Sequence, residues 1–312
     1  MKIGIFLSYV GLGSNLLHLT YCHQIAKKYG PVSVVTLCKN LEQVIGDDPL
    51  IKEVIYIEKY YKKFSDIFKL SRLLKKYNFN ILYIFYPSIR LFLASKLAGV
   101  KKVYIYNFFI KKNLHLVKAA KKFVEEILKI KPCPTETEIF ISEKNKQIAQ
   151  SNLDKNKKNI VIGAGSSGVS TRWGEKNYIN LIKQLNKKKD CFFYILCGPK
   201  EKEIADKIIE EVSSNICLSL SNKTIAEVMP IISACDIYIG NDSFGHHICS
   251  QCSIPSLIIM LDTPKAYSDY SKNQFRILPP EVSIENITHD SRISPDAIKV
   301  DLVLEKAIKI LN

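Results

Sequence analysis

Acidic side chains are scarce in the first part of this 312-residue chain, where the earliest carboxylate is Glu42. Residues 59–131 hold 18 Lys or Arg but only three acids, a net charge of +15 that equals the net charge of the whole chain. The remainder is therefore electrically neutral. Such a concentration of positive charge predicts an anionic partner for the N-terminal half: a membrane surface, a phosphorylated glycolipid or nucleic acid.

Long apolar runs are missing as well. Residues 3–26 contain no charged side chain, but Ser, Asn, His and Gln interrupt them, and a membrane-spanning helix needs ~20 mostly apolar residues. No small-residue cleavage site follows a compact apolar stretch, so we expect no signal peptide. The expected location is the cytoplasm, with peripheral attachment to the inner face of the inner membrane through the basic half.

Paired cysteine motifs are nearly absent. The nine cysteines are odd in number and mostly lie inside apolar stretches, which is typical of reduced, buried thiols in a cytosolic protein. Cys249 and Cys252 form a C-x-x-C, but no second pair stands at ligand spacing. We therefore expect no metal site.

Short β-branched stretches, such as residues 31–36, alternate with segments of helical spacing, such as residues 64–77. This alternation predicts parallel sheets with helices on both faces. The polar, Lys- and Asn-rich residues 143–159 interrupt the pattern, which then restarts. The sequence thus predicts two doubly wound, Rossmann-like α/β domains, over residues 1–150 and 158–312, and such sheets bind ligands at the carboxyl ends of their strands.

Two glycine-containing turns follow predicted strands of the second domain. Residues 163–168 (GAGSSG) would let backbone N–H groups approach an anion, and Arg172 adds a cation with phosphate-matching geometry. Residues 197–205 (CGPKEKEIA) place Glu201 and Glu203 in the first turn of a helix. These carboxylates either stabilise the helix start or accept hydrogen bonds from a ribose.

A third segment gathers polar side chains where a predicted strand ends. Asn241, Asp242 and Ser243 come directly after the strand at 236–240, and Gly245 and a His246–His247 pair follow. This composition suits a polar, anionic ligand better than a packed core. Asp242 can accept hydrogen bonds from sugar hydroxyls, while Ser243 and the N–H groups after it can take a phosphate.

These three segments, in this order and spacing, resemble family 9 glycosyltransferases, the heptosyltransferase family of bacterial lipopolysaccharide synthesis. The similarity is strongest over residues 160–275. The family's Lys-Arg-Trp-like element corresponds to Thr171, Arg172 and Trp173, and its Gly-Gly-Pro-like turn to residues 197–199. The signature Gly-Asn-Asp-Thr/Ser-Gly-x-x-His corresponds to residues 240–247, with Phe244 in place of its second glycine.

The resemblance implies a GT-B architecture, in which two Rossmann-like domains face each other across a cleft. The N-terminal domain would bind the acceptor, a lipopolysaccharide core or another anionic surface glycan, and the C-terminal domain the nucleotide-diphosphate sugar. It implies an inverting, metal-independent transfer with no cofactor besides that donor. The donor-binding residues would be Gly165, Ser166, Thr171, Arg172, Glu203, Asn241, Asp242, Ser243, Gly245 and His247.

The family's catalytic base is an Asp directly after the first-loop glycine, where this chain has Ser14. His18 stands one helical turn after Ser14, so both can face the same side of a helix start. We therefore predict a catalytic group of Ser14, His18 and Asp242, with His18 or an acid from elsewhere as the base. The alternative for His18 is packing between helix and sheet.

Two other functions remain open at this point. The missing Asp favours a catalytically silent relative that binds a nucleotide sugar or a glycolipid without turnover. The basic half also admits nucleic-acid binding. We predict no nucleic-acid partner, because no basic run has the pattern of a common binding module and the polar segments of the second domain would be left unexplained.

Overall fold

The computed structural model describes residues 1–58, 63–106 and 115–312. These residues form two compact units, Met1–Phe140 and Ile141–Asn312. In the described ranges, no helix combines the length and the apolar character needed to cross a membrane.

The first unit is a parallel sheet with helices on both faces. Its strands follow the order β3-β2-β1-β4-β5, which is the Rossmann order. The elements are β1 (Ile3–Leu7), α1 (Leu12–Leu16), α2 (Leu19–Tyr29), β2 (Val32–Thr36), α3 (Glu42–Ile45), β3 (Ile51–Tyr56), α4 (Asp66–Lys75), β4 (Ile81–Ile84), α5 (Ile89–Leu97), β5 (Lys102–Ile105) and α6 (Leu116–Leu128).

Apolar side chains on both faces of the central strands explain this arrangement. Strands β1, β2 and β4 are buried along their whole length, as expected for parallel strands that helices cover on both sides. On one face, α4 and α5 pack side by side into a single apolar cluster with the sheet. That cluster includes Phe6, Ile67, Leu70, Leu91 and Ala94.

The chain between β1 and β2 forms two helices, α1 and α2. The glycine-containing turn is itself helical, as α1, and the chain is interrupted at Leu17 and His18 before α2 begins. The buried Asn15 fixes this geometry, because its side chain donates to Tyr9 O at 3.0 Å and accepts from Thr36 Oγ1 at 2.7 Å. That bonding ties the turn to the ends of two strands.

The second unit repeats the design with strand order β11-β10-β9-β6-β7-β8. Residues 143–159, where the sequence predicts a domain boundary, contain a helix of this unit, whose Asn152 O accepts from Tyr194 OH at 2.9 Å. The elements are α7 (Glu143–Asn152), β6 (Lys158–Gly163), α8 (Glu175–Lys188), β7 (Cys191–Ile195), α9 (Lys202–Val212), β8 (Cys217–Ser219), α10 (Ile225–Ile232), β9 (Ile237–Asn241), α11 (Phe244–Gln251), β10 (Ser256–Ile259), β11 (Gln274–Ile277) and α12 (Val300–Leu311).

Two glycines let the central strands β6 and β9 approach closely at their carboxyl ends. A Cβ on Gly240 would lie 2.5 Å from Gly163 Cα, and a Cβ on Gly163 would overlap the Tyr238 hydroxyl. Side chains larger than hydrogen are therefore excluded from both positions. The close approach brings the residues that follow β6 next to those that follow β9.

Candidate active site

The three polar segments of the second unit meet at one edge of its sheet. They follow β6, β7 and β9, which are neighbours in the order β9-β6-β7. Carboxyl ends of adjacent parallel strands share an edge, and ligands of such sheets bind there. Hydrogen bonds between the segments show how this edge is built.

Glu201 organises the loop after β6. Its Oε1 accepts from Ser166 N at 2.8 Å and pairs with Arg172 Nη2 at 2.6 Å, while its Oε2 accepts from Gly198 N at 3.0 Å. Arg172 also donates to Ser166 O from Nε at 3.1 Å and from Nη2 at 2.9 Å. A Cβ on Gly165 would lie 2.5 Å from Glu201 Oε2, so glycine is needed there.

Glu203, the predicted donor-binding acid, lies elsewhere. It is exposed on α9, and no hydrogen bond or ion pair joins it to the loop within the part of the chain that the structure describes. The structure therefore places Glu201 at the site in its stead. The sequence pointed to both acids. Because they are two positions apart at a helix start, their side chains point in different directions: Glu201 faces the loop and Glu203 faces solvent.

The hydroxyls of Ser166 and Thr171 also brace the loop. They lie 2.6 Å apart, Ser166 Oγ donates to Asp242 O at 3.2 Å, and Thr171 Oγ1 donates to Gly168 O at 2.7 Å. By contrast, the backbone N–H groups of Ser167 and Gly168 have no hydrogen-bond acceptor among residues 1–58, 63–106 and 115–312. These two N–H groups are the donors that the loop can offer to an anion.

Asn241 and Gly245 hold the site together from within. Asn241 is fully buried; its Oδ1 accepts from Trp173 N at 2.9 Å and Tyr178 OH at 2.8 Å, and its Nδ2 donates to Ala164 O at 2.8 Å. A Cβ on Gly245 would lie 2.5 Å from Leu196 Cδ2. Both were predicted to bind the donor, and the structure gives them positioning contacts instead.

Asp242 is held by a histidine that the prediction left without a role. His246 is fully buried, and its Nε2 contacts Asp242 Oδ1. Gln274 Oε1 accepts from Tyr270 N and Ser271 N, both at 3.2 Å, which turns its amide nitrogen toward His246 Nδ1 at 3.4 Å.

The orientation of Gln274 fixes the tautomer of His246. The Gln274 amide donates to Nδ1, and a neutral imidazole carries one N–H, so the proton of His246 resides on Nε2. His246 therefore donates to the Asp242 carboxylate. No sequence spacing indicates this chain of contacts, because Gln274 comes from β11, 28 residues after His246.

His247 is the second imidazole beside Asp242. Its Nδ1 lies 2.6 Å from Tyr270 OH, and its Nε2 lies 3.8 Å from Asp242 Oδ1. Burial, together with the neighbouring His246, lowers the pKa of His247 well below its ordinary value, so the ring is neutral. Gln251 Nε2 donates to Tyr270 OH at 3.5 Å, so Tyr270 links the side chains of His247 and Gln251.

The nearest ligand atoms of Asp242, His246 and His247 lie within 4.8 Å of one another, a spacing that can hold a metal ion. A metal needs the lone pair of each ligating nitrogen. The hydrogen bond from Gln274 instead places the proton of His246 on its Nε2. As arranged, His246 offers no lone pair to a metal at this atom and instead donates to the Asp242 carboxylate.

Ser243 ends the polar segment at the start of α11. It is the residue before the helix, its side chain does not cap it, and its Oγ lies 3.0 Å from Tyr238 OH. The first N–H groups of a helix have no partner within the helix and favour an anion. Together with the loop after β6, this helix start makes the edge suitable for phosphate groups.

In the first unit, His18 is inaccessible. Its ring is fully buried and stacks on Tyr9 with centroids 4.8 Å apart, and its Nδ1 bonds to Ser14 O at 2.6 Å. Burial lowers the pKa of His18 to about 4. The ring is thus a weak base that a substrate cannot reach, so the geometry favours the packing alternative. The hydrogen bond between the two residues joins His18 Nδ1 to the backbone oxygen of Ser14.

The pKa of His18 leads to a stability prediction. Below the ordinary histidine pKa of ~6.5 the unfolded chain takes up a proton that the folded chain refuses, so stability falls as the pH falls. Between pH 7 and pH 5 we expect the free energy of unfolding to drop by about 2 kcal/mol through this residue. Urea titrations of wild type and His18→Leu measure it. An equally steep drop in the variant would assign the effect to other groups.

A cavity of about 360 Å³ lies at the carboxyl edge of the first unit's sheet. Its walls combine apolar side chains with two cations, and Asp66 supplies the carboxylate among the described lining residues. Asp66 Oδ2 accepts from Lys63 N at 2.8 Å, and Oδ1 lies 3.9 Å from Lys69 Nζ. The lining residues are Phe6, Ser8, Val10, Leu37, Lys63, Asp66, Ile67, Leu70, Tyr86, Ser88, Arg90 and Leu91.

Several solved structures with this fold are glycosyltransferases. The E. coli ADP-heptose lipopolysaccharide heptosyltransferase II is 19% identical, with a TM-score of 0.73 over 100% of this chain and 98% of that one. A family 9 glycosyltransferase from Veillonella parvula is 17% identical, with a TM-score of 0.79 over 99% and 97%. E. coli heptosyltransferase WaaC, solved with ADP, is 14% identical, with a TM-score of 0.76 over 99% and 100%.

These similarities confirm the predicted GT-B fold class. No curated protein sequence matches the chain. The model of the family described as glycosyltransferase family 9 (heptosyltransferase) matches residues 94–278, which is more than half of the chain. The chain therefore belongs to glycosyltransferase family 9, the heptosyltransferase family.

Proposed function

We propose that this enzyme transfers a heptose or related sugar from a nucleotide-diphosphate donor to a lipopolysaccharide core or another anionic surface glycan, with inversion at the anomeric carbon. One observation supports the donor site above all. Three segments converge at the carboxyl edge of the second unit, where unengaged N–H groups of the loop after β6, Arg172, the start of α11 and the Asp242 carboxylate lie at the same edge. Phosphates need such donors, and sugar hydroxyls need such an acceptor.

In this proposal the second unit binds the donor. The diphosphate lies against Ser167, Gly168 and Ser243, with His247 and Arg172 beside it. Asp242, oriented by His246, accepts hydrogen bonds from the sugar. WaaC has been solved with ADP and with ADP-2-deoxy-2-fluoro heptose, so ADP is the first nucleotide to test.

Calorimetry with ADP tests the donor site. We expect Arg172→Ala and His247→Ala each to weaken binding about tenfold or more, because each removes a donor or brace for phosphate, and charge-assisted hydrogen bonds are worth ~1.5–3 kcal/mol. Lys187→Ala, on the exposed part of α8, is the matched control and should bind normally. Unchanged affinity in both site variants would rule out this assignment.

The acceptor is assigned to the cavity of the first unit. Lys63 and Arg90 match an anionic glycan, and the apolar walls match a sugar or lipid face. Asp66 takes the role of base that Ser14 cannot fill and that His18 is too buried to fill. The acceptor oxygen attacks the anomeric carbon, the bond to the diphosphate breaks, and the hydroxyl proton passes to Asp66.

We further propose that the transfer needs no metal ion and no cofactor beyond the donor. The tautomer of His246 supports this, because its Nε2 carries a proton that it donates to Asp242 and therefore offers no lone pair to a metal. Turnover in excess EDTA should stay within about twofold of the untreated rate. A complete loss that Mg²⁺ or Zn²⁺ restores would show that the metal is required.

The competing function is a catalytically silent relative that only binds its ligands. Ser14 at the family's base position and the buried His18 favour it. Ser14→Asp separates the two functions, because restoring a carboxylate should add little to an enzyme whose base is Asp66. A gain of about 10²-fold or more would show that the chain has lost its base.

A further inference from the structure

The outer surface of α4 and α5 is apolar where a solvated helix surface would be polar. Five large apolar side chains on this surface are exposed, from 36% for Leu93 to 72% for Phe64. On α5 they recur every four residues, so they form one stripe along the helix. The five are Phe64, Phe68, Ile89, Leu93 and Leu97.

The exposed apolar side chains of α4 and those of α5 point the same way. The buried sides of α4 and α5 pack into one cluster on the same face of the sheet, so their outer sides look away from that face together. Helix α5 is apolar on both sides, since Leu91 and Ala94 enter the core while Leu93 and Leu97 remain exposed. Contiguous exposed apolar surface of this kind marks an interaction site.

The charge on this surface has one sign. Over residues 63–106 the sequence holds one acid, Asp66, and it is buried. Exposed Lys69, Arg72, Lys75, Lys76 and Lys96 border the apolar stripes. Apolar side chains ringed by cations, without an exposed carboxylate, fit an anionic lipid surface, where the rings enter the headgroup region and the cations meet phosphates.

We infer that the α4–α5 surface, defined by these five apolar and five basic side chains, docks the protein on an anionic membrane. The basic stretch 59–131 is predicted to face an anionic partner, and its residues 59–62 and 107–114 lie outside the described residues. The inference rests on the proposed function and extends it by naming the surface of the enzyme that would contact the membrane carrying the acceptor. The same two helices line the cavity assigned to the acceptor, through Ile67, Leu70 and Leu91.

Vesicle co-sedimentation tests the docking surface. Wild type should bind vesicles containing phosphatidylglycerol, bind phosphatidylcholine vesicles weakly, and be released at ~1 M salt, where the Debye length is ~3 Å. Lys69→Glu with Arg72→Glu should weaken binding at least ~25-fold, and Phe68→Ser with Leu93→Ser a further ~10-fold or more. None of these residues lines the cavity.

Matched variants in the second unit serve as controls. Lys187→Glu with Lys188→Glu, and Leu218→Ser with Phe275→Ser, change similarly exposed side chains and should bind vesicles like wild type. Equal binding to both vesicle types, or equal losses in the control variants, would overturn the inference. So would a wild-type dimer in sedimentation velocity that Phe68→Ser with Leu93→Ser dissociates. ADP binding, measured in parallel, reports on the donor site independently.

Discussion

Asp66→Asn is expected to lower turnover by about 10²–10⁴-fold, which is the typical contribution of a positioned general base. Asn is the informative replacement because its side-chain oxygen still accepts from Lys63 N, the bond that Asp66 makes at 2.8 Å. The start of α4 should therefore persist, while the proton acceptor is lost. Initial rates at saturating donor and acceptor measure the effect.

The control for this variant is Asp47→Asn, an exposed acid of the same unit, which should turn over normally. Melting temperature and ADP affinity should match wild type in both variants. A fully active Asp66→Asn enzyme would remove Asp66 from the mechanism. A variant that melts early would show that the structural role of Asp66, which binds Lys63 N, dominates, and Asp66→Ser, which keeps an acceptor at the helix start, would then be compared with it.

Asp242→Ala is expected to reduce kcat by about 10²-fold or more, because a misplaced donor sugar costs on that order. ADP affinity should change by less than about threefold, since ADP lacks the transferred sugar that we propose Asp242 to contact. A loss confined to ADP affinity, with kcat unchanged, would show that Asp242 serves the phosphates instead.

The partner of Asp242 gives a companion experiment. His246→Gln keeps an N–H near the position of Nε2 and should retain most activity, whereas His246→Met keeps the volume but removes the donor and should approach the loss in Asp242→Ala. Equal kcat values in the Gln and Met variants would mean that His246 acts only by packing. Circular dichroism of both variants checks that the fold is intact.

The architecture could be predicted because its causes are local. Strand and helix periods, and glycine at the strand ends, are visible along the chain, and adjacent parallel strands bring their carboxyl ends together. These rules were enough to place Arg172, Asp242 and His247 in one neighbourhood. They also gave the two Rossmann-like units.

The roles of individual side chains depended on tertiary packing, which no spacing encodes. Asn241 looks like a ligand-binding residue, but its amide is consumed by Trp173, Tyr178 and Ala164. His18 looks like a base, yet Tyr9 covers it. In both cases the residue type was compatible with either role, and only burial and hydrogen-bond partners decided between them.

Asp66 was missed for a related reason. An acid in the first turn of a helix usually serves the helix dipole, so its position in the sequence suggested nothing more. Its place in the cavity depends on how α4 packs on the sheet, through Ile67 and Leu70. Contacts between residues far apart in the chain, such as Gln274 with His246, are invisible to periodicity in the same way.

Acceptor-dependent transfer is the most direct test of the central claim. The purified protein is incubated with ADP-heptose, alongside other nucleotide-diphosphate sugars, and with lipopolysaccharide core acceptor in anionic vesicles. We expect one donor to release nucleoside diphosphate only when acceptor is present, in equal amount to a product heavier by one sugar and inverted at the anomeric carbon. The contradicting result is a wild-type protein that binds nucleotide tightly but forms no product from any donor, while Ser14→Asp does form product. That result would identify the wild type as a silent binding protein.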